Sequence, residues 1–375
     1  MRDASASRGS LRELVFVFGT LGLIGFGGPA AHIALMRREL VERRGWLSDA
    51  ELLDLVGITS LIPGPNSTEL AMLVGRRRAG AAGLVAAGLA FILPAVAIVL
   101  ALAWAYVIYG ATEAGEAILY GVGPVIVAIV GAAVIAFART ALGPVTVALA
   151  VAAAALWVIG VNELVLLLGA AALLAIARVG SAPAVLLLPA LGVAGASAVN
   201  LVTLAGVFLK AGALLYGSGY VLIAFLRGDL VDRLGWLTDA QLLDAVAIGQ
   251  VTPGPLFTTA TFIGFLLAGI PGAMVATAAI FLPAFIIVAL VAPWIERIRD
   301  RPLTAALLDG VNAAAIGLMA AVTLQLGLTA VRDPLTAGIG LAAGVALLSG
   351  RVPSVLLVAA GAVLGLAAGA AGIGP

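Results

Sequence analysis

Residues 40–65, LVERRGWLSDAELLDLVGITSLIPGP, recur at 230–255 as LVDRLGWLTDAQLLDAVAIGQVTPGP. Laid over each other without a gap, the copies agree at 16 of 26 positions, at an offset of 190 residues. Trp46 falls on Trp236, Asp54 on Asp244, and Pro63-Gly64-Pro65 on Pro253-Gly254-Pro255. One short deletion later, Pro94 falls on Pro283 and Gly121 on Gly310. This is an internal duplication. Both halves must fold on one plan, and a site is expected where they meet.

That plan is a membrane plan. The chain is 63% apolar and 10% charged, with a mean hydropathy of +1.21, where a soluble chain carries about 25% charge. A spanning helix needs about 20 apolar residues. Candidates lie at 14–36, 52–74, 80–109, 117–137, 142–159, 164–176 and 183–199, and again at 204–226, 242–267, 273–295, 304–326, 335–348 and 354–371. The segment at 183–199 has no counterpart and joins the halves. The expected organisation is a first repeat over 1–180, a linking segment over 181–203 and a second repeat over 204–375. The N-terminus is short and polar and shows no small-residue cleavage site, so no signal peptide is expected. The net charge of +1 argues against a nucleic-acid partner, and the absence of cysteine excludes thiol chemistry.

The first two segments of each half are interrupted. Gly25-Phe26-Gly27-Gly28-Pro29 breaks one, Gly217-Ser218-Gly219 breaks its counterpart, and the PGP triplets break the next pair. Proline lacks an N–H and disfavours helix in the residue before it. Broken backbone at membrane depth is tolerated where it is buried in protein or lines a cavity. Loop charges set the orientation. The loop 37–44 is net +2 and 76–78 adds three arginines, whereas 227–233 is neutral and the basic cluster of the second half lies at 296–301. By the positive-inside rule the halves lie oppositely in the membrane. Two arrangements keep that parity: the GGP/GSG and PGP segments are re-entrant half-helices, or all thirteen segments cross. The first keeps 37–44 and 76–78 on one side. The expected fold is all-α and polytopic, with inverted-topology repeats and re-entrant breaks.

With FGGPAAHI at 26–33, VERRGWL at 41–47, the doubled PGP and the paired halves, the sequence resembles the chromate ion transporter family in its long-chain, two-domain form. Tyr216-Gly217-Ser218-Gly219-Tyr220 is similar to that family's second glycine signature. The resemblance covers nearly the whole chain. It implies efflux of chromate, with sulfate as a related tetrahedral dianion, across the bacterial inner membrane. The lipid bilayer and the oxyanion are the expected partners, and a homodimer is compatible with the family. Import of sulfate and an anion channel on the same scaffold are the alternatives. No Walker motif and no HExxH appear; neither an enzyme nor a cofactor is expected, and no metal site.

The residues after the breaks could hold an anion. Unpaired N–H groups and the helix dipole make a helix N-terminus a ready anion site. Gly27, Gly28 and Pro29 open one such helix, and Pro63, Gly64, Pro65, Asn66, Ser67 and Thr68 another. The second half offers Gly217, Ser218, Gly219 and Tyr220, then Pro253, Gly254, Pro255, Thr258 and Thr259. Four helix N-termini would then surround one dianion near the midplane. His32, the only histidine, either donates to the anion or carries a proton, or lies at headgroup level beside Arg37. Lys210, where the first half has Thr20, either pairs with the anion or snorkels to the interface. Glu69 is a proton-coupling candidate, or closes a capping box with Asn66. Trp46 and Trp236 mark interfaces, and Asn312 and Gln325 join helices by hydrogen bonds.

Overall fold

The structure is a computed structural model that describes residues 10–179, 198–215, 219–291 and 302–373. Most of the 183–199 segment, Gly217, Ser218 and the basic cluster at 296–301 lie outside these residues. All regular elements among the described residues are helical. The first half holds α1 (Leu11–Ile24), α2 (Gly28–Met36), α3 (Asp49–Thr59), α4 (Asn66–Tyr109), α5 (Glu113–Ala141), α6 (Pro144–Val158) and α7 (Glu163–Val179). The second holds α8 (Leu201–Leu214), α9 (Val221–Leu226), α10 (Asp239–Val251), α11 (Thr259–Val291), α12 (Pro302–Ala330), α13 (Pro334–Leu348) and α14 (Ser354–Ala370). Wider π-helical turns, Arg37–Arg43 and Arg227–Arg233, continue α2 and α9. Helices α4, α5, α11 and α12 are long and apolar enough to cross a membrane. The protein is a multi-pass, all-α membrane protein.

The 44 residues of α4 do not run straight. The backbone turns at Ala79 (φ −142°, ψ 26°) and Gly80 (φ 62°, ψ −148°). In a straight helix Met72 and Gly88 would lie about 24 Å apart, yet a Cβ on Gly88 would stand 2.8 Å from Met72 Cγ. The two arms therefore fold back on each other as a hairpin. They meet through glycine, since a Cβ on Gly75 would stand 2.2 Å from the Gly83 carbonyl oxygen. Helix α11 repeats the turn at Ala268 (φ −148°, ψ 26°) and Gly269 (φ 60°, ψ −151°). The left-handed φ at Gly80 and Gly269 is one that a β-carbon disfavours. The second arm of α4, residues 81–109, is long enough to span a hydrocarbon core of about 30 Å.

One polar cluster ties four helix ends of the first half together. Arg44, after α2, pairs with Glu13 of α1 at 3.0 Å. Arg78, at the α4 turn, lies 3.9 Å from Glu13, and Arg77 lies 3.6 Å from Glu51 of α3. Arg37 holds Asp49 at 2.7 Å. Arg44 and Arg78 both stack on Trp46. Both breaks of this half, Gly25–Gly27 and Pro63–Pro65, lie at the other ends of these helices.

The halves are interlocked rather than side by side. Helices α6 and α7 pack on α12 of the second half, while α13 and α14 pack on α5 of the first. Glycines make these contacts close: a Cβ on Gly317 would meet the Ala150 carbonyl oxygen at 2.0 Å, and one on Gly121 would meet that of Gly361 at 2.0 Å. Small residues let membrane helices approach in this way. One hydrophobic core runs through both halves, from Ile92 to Val358. A second, smaller core fills the first hairpins and takes Ala284 and Val288 from α11.

Candidate functional site

The four breaks meet. The Gly64 N–H donates to the Leu215 carbonyl at 2.8 Å, and the Gly254 N–H donates to the Gly25 carbonyl at 2.7 Å. Leu215 is the duplicate of Gly25, and Gly254 of Gly64, so each PGP turn is tied to the first break of the other half. These bonds answer backbone groups that water cannot reach. A Cβ on Gly254 would stand 2.7 Å from Ala95 Cβ, and one on Gly64 would stand 2.4 Å from Glu69 Oε1. Both PGP glycines also have positive φ, 140° at Gly64 and 98° at Gly254.

Between the breaks lies a cavity of about 30 Å³, room for about one water molecule. Gly28, His32, Gly64, Pro65, Asn66 and Ser67 line it from the first half. Gly219, Tyr220, Gln250, Pro255, Leu256 and Phe257 line it from the second. Of the residues singled out in the sequence, Gly28, His32, Gly64, Pro65, Asn66, Ser67, Gly219, Tyr220 and Pro255 come together here. Gly27 (φ 99°) caps α2, whose first turn holds Pro29. Pro63 and Pro253 complete their turns behind the wall.

His32 is buried, at 2% exposure. Its Nε2 donates to the Gly25 carbonyl at 2.8 Å, and the Ser67 hydroxyl is 3.0 Å from Nδ1. Since a carbonyl can only accept, the proton sits on Nε2 and Nδ1 accepts from Ser67. The Gly25 carbonyl thus receives both His32 and Gly254 and joins the histidine to the opposite half.

Several readings need correction. Asn66 and Glu69 form no capping box. The Glu69 N–H bonds to the Pro65 carbonyl, which makes Pro65 the cap and puts Glu69 one position beyond the place the box requires. Thr258 and Thr259 are not free donors. Their hydroxyls donate to the Pro255 and Leu256 carbonyls at 2.9 and 2.8 Å, because the second PGP opens with a turn of 3-10 helix at Leu256–Thr258. Gln250 was missed. Its Nε2 donates to the Tyr220 hydroxyl at 2.7 Å. The signal was one polar residue three positions before the second PGP, where the first half has Ser60.

A profile described as Chromate transporter matches residues 12–176 and again 202–366. The chain belongs to the chromate transporter family. It is 34% identical over 374 residues to the probable chromate transport protein of Synechococcus elongatus, covering 95% of each chain. It is 35% identical over 369 residues to the chromate transport protein of Cupriavidus metallidurans, covering 95% of this chain and 92% of that one. With the chromate transport protein of Pseudomonas aeruginosa the identity is 36% over 367 residues, covering 90% and 87%. No solved structure matches.

Lys210 of this transporter is not among the residues lining the central cavity. Its Nζ lies 2.8 Å from Glu163 Oε1 and also pairs with Asp229. Both acids are buried beside it, at 4% and 3% exposure. The duplication explains them. In the first half Glu39 holds Arg43 at 2.8 Å and Arg44 at 2.7 Å. Its duplicate Asp229 keeps Arg233 at 2.8 Å, but Arg44 has become Leu234. Lys210 supplies the missing second cation from another helix. Gln325 faces the same wide cleft, about 440 Å³, and its Oε1 bonds to nothing among the described residues.

Proposed function

We propose that this chain is a secondary transporter that exports chromate, and related tetrahedral oxyanions such as sulfate, across the bacterial inner membrane. The observation that carries the reading is the convergence of four helix breaks, two from each half, on one cavity. Its wall offers the Asn66 amide, the Gln250 amide and the N–H groups opening α2 and α4. Hydrogen bonds from neutral donors suit a dianion that must be released again, where paired cations would retain it. Backbone hydrogen bonds join the halves across the cavity, so transport requires its walls to separate. The bonds between Gly64 and Leu215 and between Gly254 and Gly25 are the contacts that such a separation would break.

We also propose that the halves, 1–180 and 204–375 joined by 181–203, insert with opposite orientations and that their broken segments are re-entrant. The second arms of α4 and α11 support this by running antiparallel. Arg76, just before the turn from which the second α4 arm starts, bonds to the Val288 carbonyl, near the end of α11, and Gly88 lies against Phe285. A reporter fused at Arg77 should read cytoplasmic and one at Gly228 periplasmic; the same side for both would refute the arrangement.

The test of function is uptake of labelled chromate into inside-out vesicles, competed by sulfate. Asn66→Ala and Gln250→Ala should each raise half-saturation about tenfold, the loss of one hydrogen bond to a charged group at about 1.5 kcal/mol or more. Unchanged half-saturation in both variants would remove the site. Flux that does not saturate would mark a channel.

A further inference from the structure

Glu69 is completely buried, and neither carboxylate oxygen has a hydrogen-bond partner among the described residues. The adjoining Thr68 hydroxyl is equally buried and equally unpartnered. A carboxylate stripped of water needs a proton on it or a counter-charge beside it. The group lies directly behind the cavity wall. Gly64 lines the cavity, and a Cβ on Gly64 would stand 2.4 Å from Glu69 Oε1. Glu69 also sits in the first turn of α4, whose N-terminal field would receive the oxyanion. The duplicate position is Thr259, so one half alone carries the acid.

Charges on the surrounding elements do not neutralise it. Helix α11 and the 3-10 turn before it hold no ionisable residue. Helix α2 brings His32, whose two nitrogens are engaged with Ser67 and Gly25. Helix α1 brings Arg12 and Glu13, and α3 brings Asp49, Glu51 and Asp54. Glu13 and Glu51 pair with Arg78 and Arg77 at the far end of the arm that Glu69 opens. Helices α5 and α10 also touch α4. They bring Glu113, Glu116 and Arg139, and Asp239 and Asp244. Asp244 bonds to Tyr106 on the second arm.

We infer that the oxyanion and a proton on Glu69 bind together and cross the membrane together. This deepens the transport reading and rests on it. An anion at the α4 N-terminus and an ionised Glu69 compete for one positive field. The anion therefore favours the protonated acid and, by reciprocity, the protonated acid favours the anion. Exchange of anion against proton would require the opposite sign, which a carboxylate placed here does not give. Each cycle with a dianion then carries one net negative charge, which an inside-negative potential drives outward. The proton rides outward against the pH gradient, so the potential is the driving force.

The test is titration calorimetry of chromate into the purified full-length protein, with chromate held wholly as the dianion. Two buffers of different ionisation enthalpy count the protons exchanged. At pH values where Glu69 of the anion-free protein is ionised, the expected result is uptake approaching one proton per chromate, with affinity rising about tenfold for each pH unit lowered while Glu69 titrates; where Glu69 already carries its proton, uptake falls to zero. Glu69→Gln, close in shape, should bind chromate without proton uptake and with an affinity independent of pH; Glu69→Asp should keep the linkage. Proton release, no uptake at any pH at which the wild-type protein binds chromate, or full uptake persisting in Glu69→Gln would each overturn the inference. If Glu69→Gln does not fold, the wild-type count still decides. Failure of the wild-type protein to bind chromate would instead remove the proposed function beneath it.

Discussion

Lys210→Met is the sharpest test of how this fold balances its buried charge. The substitution keeps the length of the side chain and deletes the ammonium. Glu163 and Asp229 are 5% and 4% exposed at their side chains, and Lys210 is 23% exposed. Asp229 would keep Arg233 at 2.8 Å, so the uncompensated charge falls on Glu163. Removing one partner of a buried pair costs about 3–5 kcal/mol. The partial exposure of the lysine places this case near the lower end, about 3 kcal/mol. The assay is the folded fraction after a heat step in detergent, at matched expression. Lys210→Arg should stay close to wild type, because the charge survives. Lys210→Met/Glu163→Gln should recover much of the loss, with a coupling of about 1–3 kcal/mol. In the protein that remains folded, half-saturation for chromate should be unchanged. If Lys210→Met is as stable as wild type and half-saturation rises tenfold, Lys210 is an anion ligand and the ion-pair reasoning is refuted.

Two further outcomes follow from the same contacts. Gly75→Ala would push a Cβ to 2.2 Å from the Gly83 carbonyl oxygen and should cost about 1–3 kcal/mol by overpacking; Gly169→Ala, with nothing within 4 Å, is the control and should be harmless in the same heat-step assay. In the cluster around Glu39, the hydrogen bond from Arg44 chiefly, with Arg43 assisting, holds the carboxyl below its ordinary range. Its stabilisation is therefore complete above the ordinary carboxylate pKa and is lost as pH falls through the lowered folded value; Arg44→Gln should reduce the acid-induced loss of stability measured between neutral pH and that range.

The sequence carried the architecture wherever it depended on backbone chemistry. Proline and glycine at membrane depth announce where helices stop, and an offset of 190 residues says which stops are duplicates. What it did not carry was pairing across the halves. Apolar faces that meet helices and apolar faces that meet lipid are written in the same residues, so the exchange of α6 and α7 for α13 and α14 left no mark. The capping error at Glu69 came from spacing. A serine, threonine or asparagine three residues before an acid reads as a box only if that residue is the cap, and the Pro65 carbonyl took that place.

Lys210 shows the limit more closely. Reading it against Thr20 located a true break in the duplication, but not its cause, because the cause was a second break at Leu234 in place of Arg44. Glu39, half-buried, and Asp229, buried, are acids at duplicate positions, each with an arginine four residues on. The second cation moved from the end of a π-helical turn to the middle of α8, and Glu163 from the other half came with it. Duplicated halves that drift apart keep the neutrality of a buried cluster rather than the position of each charge, because the desolvation cost depends on the sum within contact distance and not on which helix supplies it. A lone intramembrane charge in one repeat is therefore first to be weighed against a charge lost elsewhere in the same repeat, and only then against a substrate.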